Sequence, residues 1–213
     1  MKSSKLSIFI RSYWDYYLDL EEDFYKTQKY VAFNELNNNV YSEEYLKLLQ
    51  ANCSEIDVVA KEIASSIDPD FKNDNKANIY KWGYSLQQKL PSILSQEVIF
   101  NHEIRIHPWD NWEYEQFSDK QGALRLRLSK GSKTPSWWTA YNNVKHARTK
   151  FSSKGLQNYT QANLRNVYLS LSALWVLETE YMMLLSDEQM PVDGIKDSVL
   201  FQPYFKQFDD LIY

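Results

Sequence analysis

The sequence predicts an all-α fold, a bundle of about five helices with a small two-stranded β-hairpin insertion, and three observations lead there. Glycine and proline are scarce, 5 and 6 in 213 residues, against roughly 12% for the pair in an average chain, which argues against many short strands and tight turns. Apolar residues recur at intervals of three and four over most of the chain, the spacing of amphipathic helices. One stretch only switches to a period of two. A chain of 25.3 kDa with 44% hydrophobic and 24% charged residues should remove roughly 70% of its extended-chain surface from water, so a single domain over residues 1–213 is expected.

The first helix is expected over about residues 6–34, where Ile10, Tyr13, Tyr17, Leu20, Phe24 and Val31 form a stripe with Thr27 in its one gap. Asn37, Asn38 and Asn39 break it. After a Ser42 cap, the stripe Tyr45, Leu49, Asn52, Ile56, Val59, Ile63 predicts an antiparallel second helix over about 42–67, ending before Pro69. A shorter helix follows from about Lys76 to Leu90, stopped by Pro91. Val98, Phe100, His102, Ile104 and Ile106 then share one face of an expected strand. Leu124, Leu126 and Leu128 alternate with Arg125 and Arg127 in a second, so a hairpin insertion is expected at about 97–130. Thr134 and Pro135 read as the cap and first turn of a helix running to about Lys150. Thr160 is expected to cap the last helix, about 160–186, which is apolar nearly all round between Val167 and Leu177 and so belongs at the bundle centre. The tail 187–213, with Val199, Leu200, Phe201, Tyr204, Phe205 and Phe208, is expected to lie over the bundle as a strap.

The single cysteine, Cys53, excludes a disulfide framework and a cysteine-based zinc site and fits a reducing cytosol. The N-terminal apolar run, Leu6 to Ile10, is too short for a signal sequence, and no stretch reaches about 18 uninterrupted apolar residues, so a cytoplasmic protein with no membrane contact is expected. The three histidines have no metal-ligand spacing, and neither a glycine-rich phosphate loop nor a nucleophile elbow is present; no metal and no cofactor are expected.

Charge is unevenly spread under a net −4. Residues 1–70 carry 13 acidic and 7 basic side chains, whereas 101–170 carry 5 and 11. From Lys120 to Arg165 no acid follows. This basic excess either neutralises the acidic N-terminal helix or meets an anionic partner such as RNA. On the hairpin, Arg125 and Arg127 point outward with Arg105, and Trp109 and Trp112 lie nearby; these are either phosphate contacts beside stacking platforms or a solvated strand face.

The densest set of functional side-chain types is WWTAYNNVKHAR, Trp137 to Arg148. On a helix, Trp137, Tyr141, Val144 and Arg148 make one stripe, and Thr139, Asn142, Asn143, His146 and Lys150 another nearly opposite. His146 is then an exposed imidazole oriented by Asn142 or Asn143 and flanked by Lys145 and Lys150, fitted to bind phosphate or transfer protons. The plainer reading makes His146 an ordinary surface or interface histidine and pairs Arg148 with a carboxylate such as Glu55 on the second helix. His146 and Arg148 diverge by about 160° on an ideal helix, so a joint role needs the helix to end or bend there.

CSEIDVVAKEI (Cys53 to Ile63), WWTAYNNVKHAR and the ANL…LSALWVL run (Ala162 to Leu177) together resemble HEPN-like all-helical proteins, many of them bacterial, over about residues 40–190. The resemblance implies a dimeric helical bundle and, in active members, metal-independent RNA cleavage in defence or toxin–antitoxin settings. The family's ribonuclease motif places an Arg four to six residues before the His; those positions here are Thr139, Ala140 and Tyr141, so only His146 carries over, with Arg148 as a displaced cation. The resulting expectation is a catalytic set of His146, Arg148, Asn143 and Glu55, and phosphate contacts from Lys145, Lys150, Arg125 and Arg127. The alternative is a non-catalytic helical scaffold that dimerises or binds a protein partner.

Overall fold

The computed structural model describes residues 2–73, 76–152, 155–186 and 195–204. The chain is about 56% helical and 12% strand, so the fold is a mixed α and β one, and the expected all-α class is corrected. The cause lies in two short segments, 114–118 and 201–203, that form strands the sequence pattern did not signal, and in the run 98–106, which makes two strands instead of one.

The N-terminal helix runs as α1 (Lys2–Phe9), a π turn (Ile10–Trp14) and α2 (Asp15–Lys26). It stops well before residue 34, because residues 27–29 tighten into a 3₁₀ turn in which the Thr27 hydroxyl donates to the Phe24 carbonyl at 2.7 Å. Ser42 caps α3 (Glu43–Ile67) as expected, its Oγ accepting from the Tyr45 amide at 3.1 Å. Asn78, whose side chain accepts from the Tyr80 and Lys81 amides, caps α4 (Ile79–Lys89), and a single turn, α5 (Ser92–Ser95), follows Pro91.

The run 98–106 is not one strand. Asn101 and His102 both take positive φ (50° and 66°), the requirement of a type I′ turn, and Asn tolerates that region better than most residues. The run therefore folds on itself: β1 (Val98–Phe100) pairs antiparallel with β2 (Ile104–Ile106), and its other edge takes β5 (Phe201–Pro203) from the tail, with Phe100 opposite Phe201. The expected strap is thus a sheet edge at 201–203; Phe205 and Phe208 lie outside the described residues. The second sheet pairs β3 (Tyr114–Ser118) with β4 (Leu124–Leu128) around a turn in which Asp119 Oδ1 accepts from the Gln121 and Ala123 amides. Strand 124–128 consequently finds its partner at 114–118 and not at 98–106.

Two longer helices complete the fold, α6 (Ser136–Ala147) and α7 (Leu164–Leu185). Thr134 and Thr160 are not their caps: Pro135 and Asn163 occupy the cap positions, and the Asn163 side chain accepts from the Asn166 amide at 3.0 Å. Every residue from Val167 to Glu178 is buried. Against α7 lies α3, whose Asn52 donates to the Ser170 hydroxyl at 3.0 Å, while Ser170 donates to the Val167 carbonyl.

The connection 107–113 brings tryptophans inward. Trp82, Trp109, Trp112 and Trp137 are each at most 1% exposed and pack ring on ring. Each buried indole N–H has an acceptor: Asp57 Oδ1 for Trp82, the Ala173 carbonyl for Trp109, the Tyr114 hydroxyl for Trp112 and the Pro108 carbonyl for Trp137. Trp109 and Trp112 are therefore core residues and not stacking platforms. Gly83 on α4 makes this possible, since a Cβ there would stand 2.5 Å from Tyr114 and 2.6 Å from Trp112.

Gly83→Ala should consequently destabilise the protein by at least about 1–3 kcal/mol, the range for overpacking a tight core, despite alanine's better helix propensity. Urea unfolding followed by tryptophan fluorescence checks this; an unchanged midpoint would contradict the packing described.

Candidate functional site

Helix α6 buries Trp137, Trp138, Ala140, Tyr141 and Val144 against α3 and α7. The residues between them turn outward: Ser136, Thr139 and His146 are exposed, and Asn142 and Asn143 half-exposed. His146 thus faces solvent, as the helical stripe required.

The C-terminal end of α6 is held by the 3₁₀ turn of residues 158–161. Asn158 Nδ2 donates to the Ala147 carbonyl at 3.0 Å, the Tyr159 amide to the Arg148 carbonyl, and the Asn158 amide to the Lys150 carbonyl. Asn143 belongs to this tether: its Nδ2 donates to Gln161 Oε1 at 3.0 Å, and Gln161 in turn donates to Asn158 Oδ1. It is a positioning residue for the helix end, so its expected role of orienting His146 is corrected.

Arg148 keeps a right-handed helical backbone (φ −49°, ψ −43°). Two residues apart on such a backbone point about 160° apart, so the chain does not bend to bring Arg148 beside His146. Glu55 is corrected too. It is half-buried, and its electrostatic neighbours are Tyr13, Tyr16 and Glu178 at the seam of the N-terminal helix, α3 and α7; it makes no ion pair with Arg148 among the described residues. The four residues expected as a catalytic set are therefore not one cluster.

What the α6 end does gather is charge and an exposed ring. The side chains of His146, Arg148 and Lys150 are exposed and make no hydrogen bond or ion pair among the described residues. Lys145 is engaged with Tyr141, donating to its hydroxyl at 2.9 Å and lying over its ring, a contact that holds the ammonium above its usual pKa. Directly after Lys150, Phe151 bridges antiparallel to Gln157 and leaves its own ring 68% exposed. Gly155, at φ 73°, allows the tight reversal that holds it out. Nearby Tyr159 of the same turn packs edge-on against the half-exposed Tyr41. Phe151 and Tyr41 were missed by the sequence reading; the available signal was an aromatic placed immediately after three cations within six residues.

The hairpin cations do not join this surface. Arg125 pairs with Asp119 at 3.0 Å, holding that carboxyl below its usual range, and Arg127 pairs with Glu115 at 2.7 Å while stacking on Phe117. Both cations, expected as phosphate contacts, thus have acidic partners on their own exposed strand face.

Comparison with protein-family models, with curated proteins and with solved structures finds no match for this chain. No group of three or more His, Cys, Asp or Glu side chains among the described residues is placed to hold a metal ion, and no helix among them is long and apolar enough to cross a membrane.

The Glu55 seam makes a pH prediction. Glu178 is fully buried with neither carboxyl oxygen hydrogen-bonded among the described residues, and burial, reinforced by the Glu55 charge, pushes its pKa well above the ordinary carboxylate range. A raised folded-state value means that protonation favours the folded state. This contribution is complete below the ordinary glutamate value of about 4.3 and is lost as pH rises through the folded-state value. The urea midpoint should therefore fall as pH rises from about 4.3, and Glu178→Gln should flatten that fall. Parallel profiles for the two proteins would contradict this.

Proposed function

We propose that the protein is a HEPN-like module that binds single-stranded RNA, without cutting it, at the C-terminal end of α6. Single-stranded nucleic acid is held by cations that track the backbone and by aromatic rings on which bases stack. Arg148 and Lys150 supply the first, with His146 as a hydrogen-bonding partner to phosphate, and Phe151 supplies the second. The observation that carries the reading is the exposed Phe151 ring directly following exposed cations that have no acidic partner among the described residues.

Binding is favoured over cleavage by the direction of the side chains. Metal-independent cleavage needs an acid–base group and a charge stabiliser converging on one phosphate, and His146 and Arg148 diverge on the helical backbone that carries them. The bases of a splayed strand would instead lie on Phe151, with the backbone passing the cations at the helix end.

Fluorescence anisotropy with a labelled oligoribonucleotide tests this. With two or three phosphate contacts, log affinity should fall against log salt with a slope of about −2, and Lys150→Ala should reduce that slope by about 0.7. Phe151→Ala should weaken binding about tenfold, within the ~1–3 kcal/mol range of one base stacked on a ring. Arg125→Ala, on the neutralised hairpin, should leave affinity unchanged. The RNA should remain intact on prolonged incubation, with and without His146→Ala. Absence of binding, together with a stable dimer in sedimentation, would put the scaffold reading in place of this one.

A further inference from the structure

At the opposite end of α6 a cleft of about 430 Å³ opens, within the size range of small-ligand sites. The 12-residue helix puts it about 18 Å from the Phe151 end. Its buried floor is made by Ile106, Pro108, Trp137 and Tyr168. Three cations reach it from three different elements: Arg105 from β2, Lys133 from the loop before α6, and Arg165 from the first turn of α7.

One of these cations is held against a ring, the Arg105 guanidinium lying 4.2 Å over Tyr204, and Arg165 stands near the Tyr168 hydroxyl. A long side chain held against a ring loses less entropy on meeting an anion than a free one does. The helix adds backbone donors. Pro135 at the cap position offers no side chain, and the Ser136 and Trp137 amides find no acceptor among the described residues. Ser136 and Trp137, at the positive end of the helix, thus line a cavity whose lining also includes Arg105, Lys133 and Arg165. Glu35 and Asp110 stand on the walls. They repel a bare anion but accept hydrogen bonds from hydroxyls, so the cleft suits a ligand with a doubly charged phosphate at one end and hydroxyl groups beside it.

We propose that this cleft binds a ribose phosphomonoester, with its phosphate against Lys133, Arg165 and the N-terminal amides of α6. Two sources share that chemistry, a free ribonucleotide and the phosphorylated end of an RNA strand. The site is independent of the Phe151 surface and uses none of its residues.

Isothermal titration calorimetry on the full chain separates the outcomes, with adenosine monophosphate against adenosine, and a 5′-phosphorylated oligoribonucleotide against its 5′-hydroxyl counterpart. A gain of at least tenfold from the phosphate, in either pair, is expected, and the pair that shows it identifies the source. Lys133→Glu should abolish the gain. Ser136→Pro removes one amide donor and the side-chain hydroxyl at a position where proline suits the helix start, and should reduce the gain severalfold while leaving the thermal melt in place. Equal affinities with and without the phosphate in both pairs, or a gain unaltered in either variant, would overturn the proposal.

Discussion

Between Val167 and Glu178 the helix α7 has no side open to solvent, and a helix in that condition needs neighbours on every face. The rest of the fold can be derived from that need. α3 lies along one face, joined by the Asn52 to Ser170 hydrogen bond; the Trp109 indole reaches the Ala173 carbonyl on another. The sheet of β1, β2 and β5 closes a third through Phe100, which stacks on Tyr168 and Phe201. Polar groups on α7 survive burial only where they are answered or neutral. Ser170 and Ser172 bond to their own helix, whereas Glu178 has no hydrogen-bond partner among the described residues and its pKa is pushed well up by burial.

The same constraint fixes α6. To cover its share of α7 and α3 it turns Trp137, Trp138, Tyr141 and Val144 inward, and at 3.6 residues per turn this leaves Ser136, Thr139 and His146 outward. Function is therefore expected at the two ends of the helix, where the chain enters and leaves the packed layer. The cations at its C-terminal end also complement the helix dipole, which alone would explain Arg148 and Lys150. The dipole does not explain Phe151, a large apolar ring held in water by a tight reversal at Gly155.

Much of this was legible in the sequence. The stripe from Tyr45 to Ile63 located α3, the apolar run from Val167 to Leu177 located α7, and the opposition of Trp137, Tyr141 and Val144 to His146 predicted which side of α6 is wet. The pairing of the strands was not legible, because a period of two runs unbroken through Asn101 and His102 and only the positive φ of those two residues folds the run back. The tail strand was hidden because its ladder partner, β1, lies about a hundred residues earlier. In the candidate site, side-chain type and exposure could be read, but partners could not: Asn143 is tied to Gln161, Arg125 and Arg127 to acids on their own hairpin, and Glu55 lies beside Glu178. The cleft is built from β2, the loop before α6 and α7, which no local window brings together.

The central claim is that an RNA strand contacts the end of α6 through Phe151 and its neighbouring cations. Ultraviolet cross-linking of the full chain to a uridine-rich single strand, with the modified peptides mapped by mass spectrometry, reads that contact directly. The account predicts adducts on the peptide carrying Phe151, lost when excess unlabelled RNA competes. Adducts confined to the β3–β4 hairpin, or none that competitor RNA removes, would contradict it.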